Sequence, residues 1–246
     1  MLGIIGGSGL TSLPDLATTG RRAIVTPHGD PSSALTCGRL AGRDVVFLAR
    51  HGDRHTIPPH RINYRANLWA LHAAGVREIV AVFSVGGIAP ALGPGAIVVP
   101  DQLIDYTWGR ISTLSEESGS PVLHVDFGDP YTLALRGQVL DAARRTGVVV
   151  VDGGCYGATQ GPRLETKAEI ARMRRDGCDL VGMTGMPEAG LARELGLDYA
   201  CLGIVANWAA GAGPDPDETI TLDDVLANVA AATADVGRLL GALLAG

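Results

Sequence analysis

Arg50-His51-Gly52-Asp53-Arg54-His55-Thr56-Ile57-Pro58-Pro59-His60-Arg61 gathers three of the six histidines and three arginines into twelve residues of a chain whose net charge is −6. Arg50 offers a planar fork of N–H donors, and His51 beside it a further donor, neutral or cationic; together they suit an oxyanion. His51 and His55 have the four-residue spacing of a helical metal pair. Gly52 and the Pro58-Pro59 break argue against a helix there, and no carboxylate completes a zinc set, so no metal is expected. A solvated loop is the plainer alternative. A second anion-facing stretch is Gly6-Gly7-Ser8-Gly9-Leu10, a glycine turn that presents backbone N–H groups and the Ser8 hydroxyl. Its glycine spacing is wrong for a dinucleotide fingerprint, and Pro14 interrupts the helix such a fingerprint needs. A third, Asp179–Ala209, carries Met183-Thr184 and Asn207 at the ends of two apolar runs.

The elements that must hold these groups follow from pattern. Asp179–Met183 and Tyr199–Val205 have buried-strand length, joined by a helix that Pro187 opens, Ala189–Leu195 continues and Gly196 stops. One helix between two strands predicts a parallel pair, which would bring Met183-Thr184 and Asn207 to one rim of the sheet. Earlier, Leu2–Ile5, Ala23–Thr26, Ala34–Leu40 and Asp44–Ala49 read as strands, with turns at Gly29-Asp30 and Gly42-Arg43. Asn63–Ala74 reads as a helix ended by Gly75, and Glu78–Ser84 as a buried strand opening into a glycine turn, Val85–Ile88. Ala96–Pro100 and Val148–Asp152 are further strands, and Gly109–Pro121 a polar loop. Asp129-Pro130 would cap a helix Tyr131–Thr146, Lys167–Asp176 forms another, and Thr221 caps a long last one. The expectation is a single α/β domain, residues 1–246, with a central mixed sheet flanked by helices.

Bulk numbers narrow the function classes. With 46% hydrophobic and 19% charged residues the chain is globular. Its acidic balance argues against a nucleic-acid partner, since phosphate backbones require clustered Lys and Arg. The longest apolar runs, such as Val148–Val151, fall far short of a spanning helix, and Met-Leu-Gly-Ile-Ile-Gly-Gly lacks a signal-peptide pattern; a cytoplasmic protein without a membrane partner is expected. Cys37, Cys155, Cys178 and Cys201 form no Cys-x-x-Cys pair and read as buried thiols.

Taken together, Gly6-Gly7-Ser8-Gly9-Leu10, Arg50-His51-Gly52 with His55-Thr56-Ile57, Asn63-Tyr64-Arg65-Ala66-Asn67, Gly161-Pro162-Arg163 and Met183-Thr184-Gly185-Met186-Pro187-Glu188 resemble the trimeric purine nucleoside phosphorylases, in the family's order from residue 3 to about residue 240. The branch most similar is that of the methylthioadenosine and methylthioinosine phosphorylases. The resemblance implies a partly barrel-like sheet, a homotrimer or a dimer of trimers, and reversible phosphorolysis of an N-glycosidic bond. It implies no cofactor, inorganic phosphate being the co-substrate and a nucleoside the small-molecule partner. By position it implies phosphate contacts from Ser8, Arg50, His51, Ser84 and Thr184, with Phe83 standing where relatives carry a small polar residue. Met183 would lie against the ribose; Leu164, Glu165 and Asn207 would face the base, with Trp208 and Ala209 beside Asn207. His124 from a neighbouring subunit would border the 5′ end, walled by Leu222, Val225 and Leu226. Asn207, His51 and Arg50 are the expected catalytic groups.

Two departures bear on the substrate. The adenine-specific enzymes typically have an aspartate where Asn207 stands and another where Ala209 stands; here both acids are missing. Glu165 lies in Leu-Glu-Thr, which is similar to the Phe-Glu-Thr of the 6-oxopurine enzymes, although Leu164 stacks less well than phenylalanine and Trp208 is the expected offset. A carboxylate accepts from the N1 proton of a 6-oxopurine but faces a lone pair in adenine. At the 5′ end, Leu222, Val225 and Leu226 share one helical face where inosine enzymes have a histidine, which suits a thioether methyl. The same stripe continues to Leu243, so core packing is the alternative. The expected substrate is methylthioinosine, the alternatives being methylthioadenosine or a wider set of 6-oxopurine nucleosides. A nucleoside-binding sensor is the non-catalytic alternative, but it would not need the anion set. An NAD oxidoreductase fails on the glycine spacing.

Overall fold

Glu78–Gly87 is apolar on both faces, and almost all of it is buried, the mark of a strand enclosed from both sides. The computed structural model describes every residue except 14, 117–120 and 218, and leaves out the side chain of 222, so the expectations for Pro14 and for the Leu222 side chain lie outside the described residues. Among the described residues the strands are β1 (Leu2–Gly6), β2 (Ala17–Arg22), β3 (Leu35–Leu40), β4 (Arg43–Ala49), β5 (Glu78–Gly87), β6 (Ile97–Val99), β7 (Gln102–Asp105), β8 (Val151–Asp152), β9 (Cys155–Ala158), β10 (Leu180–Gly182) and β11 (Asp198–Trp208). The α-helices are α1 (Tyr64–Ala73), α2 (Leu133–Thr146), α3 (Lys167–Asp176), α4 (Gly185–Glu194) and α5 (Leu222–Ala245).

One mixed sheet results, and β5 is its branch point, pairing with β1 and β11 in parallel and with β10 antiparallel. From β5 the pairing runs through β11 to β6, from β6 to β8, across Gly153-Gly154 into β9, and from β9 through β10 back to β5. That ring is the barrel-like part. The wing β2-β3-β4-β1 extends from it. Gly87 shows how tight the branch is: a Cβ there would lie 1.7 Å from the Leu92 carbonyl oxygen.

The departures from pattern have physical causes. The second strand is Ala17–Arg22 rather than Ala23–Thr26; it is an exposed edge of polar residues and offers no apolar alternation to read. Val85–Gly87 continues β5 instead of turning, because its glycines admit β10 and β11 at close quarters. The parallel pair expected of Asp179–Val205 does not form: β10 is antiparallel to β5 and β11 parallel to it, so the two oppose each other with β5 between them. Helix α2 starts at Leu133 behind Thr132 rather than at Tyr131, and only Val151–Asp152 of Val148–Asp152 is strand. Strands β7 and β9 fall where the pattern assigns no element, their four residues each being too short for periodicity. Within α4, Met186 has φ −120° and ψ 141°, because a residue before proline avoids the α region, so the regular helix opens at Pro187 as the pattern predicts.

Helix α5 corrects the expectation that no segment reaches spanning length. Asp223–Ala245 has mean hydropathy 1.2, and 28% of its apolar stretch is buried in the fold. Its Val229, Ala232, Val236, Leu239 and Leu240 are buried in the core, where the helix packs on α2 and β11.

Candidate active site

Two parallel strands, β4 and β1, end side by side along β5, which pairs with β1 in parallel and runs on to Gly87. The turn after β1 supplies Gly7 and Ser8, and the residues after β4 are Arg50 and His51; the Arg50 N–H donates to the Gly6 carbonyl at 3.0 Å. Because β10 is antiparallel to β5, Val181 pairs with Gly86, while on the other side Asn207 of β11 pairs with the same glycine. Met183-Thr184 and Asn207 therefore meet over the last turn of β5, not on a common rim. A β-bulge skips Ala206, whose carbonyl accepts from Asn228 Nδ2 of α5 at 2.7 Å and so docks that helix beside the site.

The result is a cavity of about 550 Å³. Ser8, Arg50, His51, Phe83, Ser84, Thr184, Met183, Leu164, Glu165, Asn207, Ala209 and Val225 all line it. Trp208 does not: side chains alternate along a strand, so it turns away from Asn207 and packs against Gly93 and Gly213. Leu226 is one position, about 100° of helix, beyond Val225; it is 41% exposed and off the cavity wall. His124 is exposed and lies outside the cavity of its own chain.

Arg50 is fully buried, which its charge tolerates only with a counterion and satisfied donors. Glu188, equally buried, takes Nε at 2.6 Å and Nη2 at 2.9 Å; Nη1 donates to the Val82 carbonyl at 3.1 Å. Phe83 lies 4.4 Å beneath the guanidinium, a cation–π contact that gives this residue a reason to be aromatic. Burial works against the charge, but the Glu188 carboxylate outweighs it and holds the guanidinium above its ordinary value. The expectation of a free fork needs correction: Glu188 occupies it, leaving one N–H on each terminal nitrogen for an anion. Tyr199 Oη donates to Glu188 Oε1 at 2.8 Å and completes the set.

His51 is neutral. Its Nδ1–H donates to the Ile57 carbonyl at 2.8 Å, which leaves Nε2 as an acceptor. Burial, with Arg50 and His55 adding to it, pushes its pKa down to about 4. The cationic alternative is thereby set aside. The His55 ring lies 4.6 Å from that of His51, and its Nε2 is 3.4 Å from Ser8 Oγ.

Also lining the cavity, Glu165 is half-buried, and Thr159 Oγ1 donates to its Oε1 at 2.6 Å. Burial raises its pKa above the usual carboxylate range. Asn207 Nδ2 donates to the Trp208 carbonyl at 2.7 Å, which leaves Oδ1 as its open acceptor. Sequence reading missed the roles of Glu188 and Tyr199. The signal was there: a carboxylate inside the small, apolar run Gly185–Ala192 must pair with a buried cation, and Arg50 follows a buried strand.

A phosphorylase-superfamily model matches residues 1–245. The chain belongs to the phosphorylase superfamily. This phosphorylase is 59% identical over 245 residues, covering 100% of it and 97% of the relative, to a Xanthomonas campestris protein named probable S-methyl-5′-thioinosine phosphorylase. It is 46% identical over 248 residues to the purine nucleoside phosphorylase of Streptomyces coelicolor, covering 98% and 86% of the two chains. The solved structure of Schistosoma mansoni methylthioadenosine phosphorylase in complex with adenine superposes with a TM-score of 0.94 at 33% identity, over 99% of this chain and 90% of that one. The mixed sheet flanked by helices is the nucleoside phosphorylase-like fold.

Proposed function

We propose that this phosphorylase converts S-methyl-5′-thioinosine and phosphate to hypoxanthine and 5-methylthioribose 1-phosphate. The anion end holds phosphate through the unspent Arg50 N–H groups, the Ser8 and Thr184 hydroxyls and the Ser84 backbone, with neutral His51 Nε2 accepting a hydrogen bond from the P–OH of the hydrogen phosphate dianion. A dianion fixed beneath the sugar stabilises the cationic ribosyl group as the glycosidic bond breaks, so no protein nucleophile is needed. The departing base takes the bonding electrons, and Asn207 and Glu165 hold its edge. The single observation that carries the base assignment is the Glu165 carboxylate on the wall of the cavity that Arg50 also lines, held by Thr159. The Xanthomonas relative's name supports the same nucleoside. His124 of a second copy completes the 5′ end in a homotrimer.

A second reading, a 6-oxopurine nucleoside with an ordinary 5′ hydroxyl, is favoured by one observation. Leu226 leaves the wall, so Val225 and Ile220 are the apolar residues described there. Initial rates with methylthioinosine, inosine and methylthioadenosine, each with and without phosphate, test the proposal. It expects hypoxanthine release only with phosphate and fastest from methylthioinosine. Release from inosine at an equal or higher rate selects the second reading, and turnover without phosphate removes both.

A further inference from the structure

Arg110 stands in the polar stretch between β7 and α2, outside the cavity lining, and no motif draws attention to it. Its guanidinium nevertheless meets more of the site's backbone than any lining residue's side chain described above. Nη1 donates to the carbonyls of Met183 at 2.8 Å and Met186 at 2.6 Å, and approaches Tyr64 Oη at 3.2 Å. Nη2 donates to the carbonyls of Thr159 at 3.1 Å and Gln160 at 2.8 Å, and Nε to Gln160 Oε1 at 3.2 Å. All six acceptors are uncharged oxygens, so this cation is not neutralised by the bonds it makes.

Those acceptors sit where the cavity needs fixing. Met183 follows β10 and Thr159 follows β9, strands of three and four residues whose ladders hold their ends weakly. The hydroxyl of Thr159 holds Glu165, Met186 lies two residues before Glu188, and Tyr64 Oη donates to the Pro59 carbonyl on the cavity wall. Four backbone carbonyls converge on one guanidinium, and removing it leaves them facing one another without donors, a cost that backbone movement would relieve.

We propose that Arg110 is a positioning residue for the nucleoside half of the cavity: it fixes Met183 beneath the sugar and, through Thr159, Glu165 at the base. The proposal rests on the phosphorolytic reading and adds a residue that touches neither substrate. Lysine cannot replace it. A single ammonium donates from one point and cannot span the Met183–Met186 and Thr159–Gln160 pairs together, which lie on opposite terminal nitrogens of the fork.

Arg110→Lys and Arg110→Met test this, with methylthioinosine and methylthioadenosine as nucleosides, phosphate varied separately, and thermal melts in parallel. Displacing substrate groups by about 1 Å costs on the order of 10–100-fold, so nucleoside kcat/KM falls by that factor in both variants. The preference for the oxo base shrinks with it, while KM for phosphate rises several-fold less than KM for the nucleoside, since Thr184 beside Met183 is only one of the phosphate contacts and Arg50 is held by Glu188. Wild-type kinetics in Arg110→Lys overturn the proposal, because charge alone would then suffice. So does a lowered melting temperature with both KM values and base preference unchanged, or an equal rise in KM for phosphate. Should Arg110→Met not fold, the lysine variant decides by the same criteria. Wild-type protein without phosphate-dependent turnover overturns the phosphorolytic reading, and this proposal with it.

Discussion

The two ends of the cavity are built differently. At the anion end, Arg50 and Glu188 are fully buried and His51 nearly so, carried on the ends of β4, β1 and β5 and on α4. At the nucleoside end Glu165 is half-buried, Leu164 is 48% exposed, and both hang on the loop between β9 and α3, with Val225 coming from the first turn of α5. Strand ends locked in a core give an anion site that cannot adapt; a loop and a helix tip give one that can be retuned without disturbing the sheet. The relatives match this division, since proteins named for different nucleosides share the fold.

The largest expected effect breaks the rigid end. Glu188→Gln strands a buried guanidinium and is expected to cost about 3–5 kcal/mol in urea unfolding, whereas Leu164→Ala at the open end stays within about 1 kcal/mol. Similar losses at both positions would erase the contrast. Next, Arg50→Lys keeps the charge but not the fork, and kcat/KM for phosphate is expected to fall on the order of 10²-fold, with base preference intact.

Acid also separates the two ends. His51 titrates near 6.5 when unfolded and at about 4 when folded, so between those values the unfolded chain binds the extra proton. Stability is therefore fully present above pH 6.5 and is lost as pH falls toward 4; a pH series of unfolding midpoints reads it, and His51→Gln flattens that slope. Glu165, with its pKa raised, gains its proton at higher pH than an ordinary carboxylate. Protonated, it can donate to the bare N1 of a 6-aminopurine, so the preference for the oxo base narrows on the acid side. The smallest effect sharpens the 5′ assignment: Val225→Ser is expected to lower methylthioinosine use relative to inosine by about tenfold, while Leu226→Ser changes the ratio little.

What the residue string disclosed divides along the same line. Charge density marked Arg50 and His51, and glycine clusters marked the strand ends, because those features are local. The apolar run around Glu188 signalled that it needs a buried cation, but which cation was hidden by a 138-residue separation that spacing cannot show; so was the antiparallel setting of β10, which the helix between Asp179 and Val205 misrepresented. Trp208 and Leu226 were misplaced by one residue of pleat or helical phase, which composition does not encode. Arg110 went unnoticed because its partners are backbone carbonyls, and these have no signature in side-chain identity.

The claim on which the substrate assignment turns is that the Glu165 carboxylate reads the N1 proton of the base. The direct measurement is the ratio of kcat/KM for methylthioinosine to that for methylthioadenosine, in wild type and in Glu165→Gln. A mispaired buried group costs about 1–3 kcal/mol, so the ratio is expected to fall by roughly 5–150-fold in the variant, mainly through loss on the oxo nucleoside. A ratio unchanged by the substitution would contradict it.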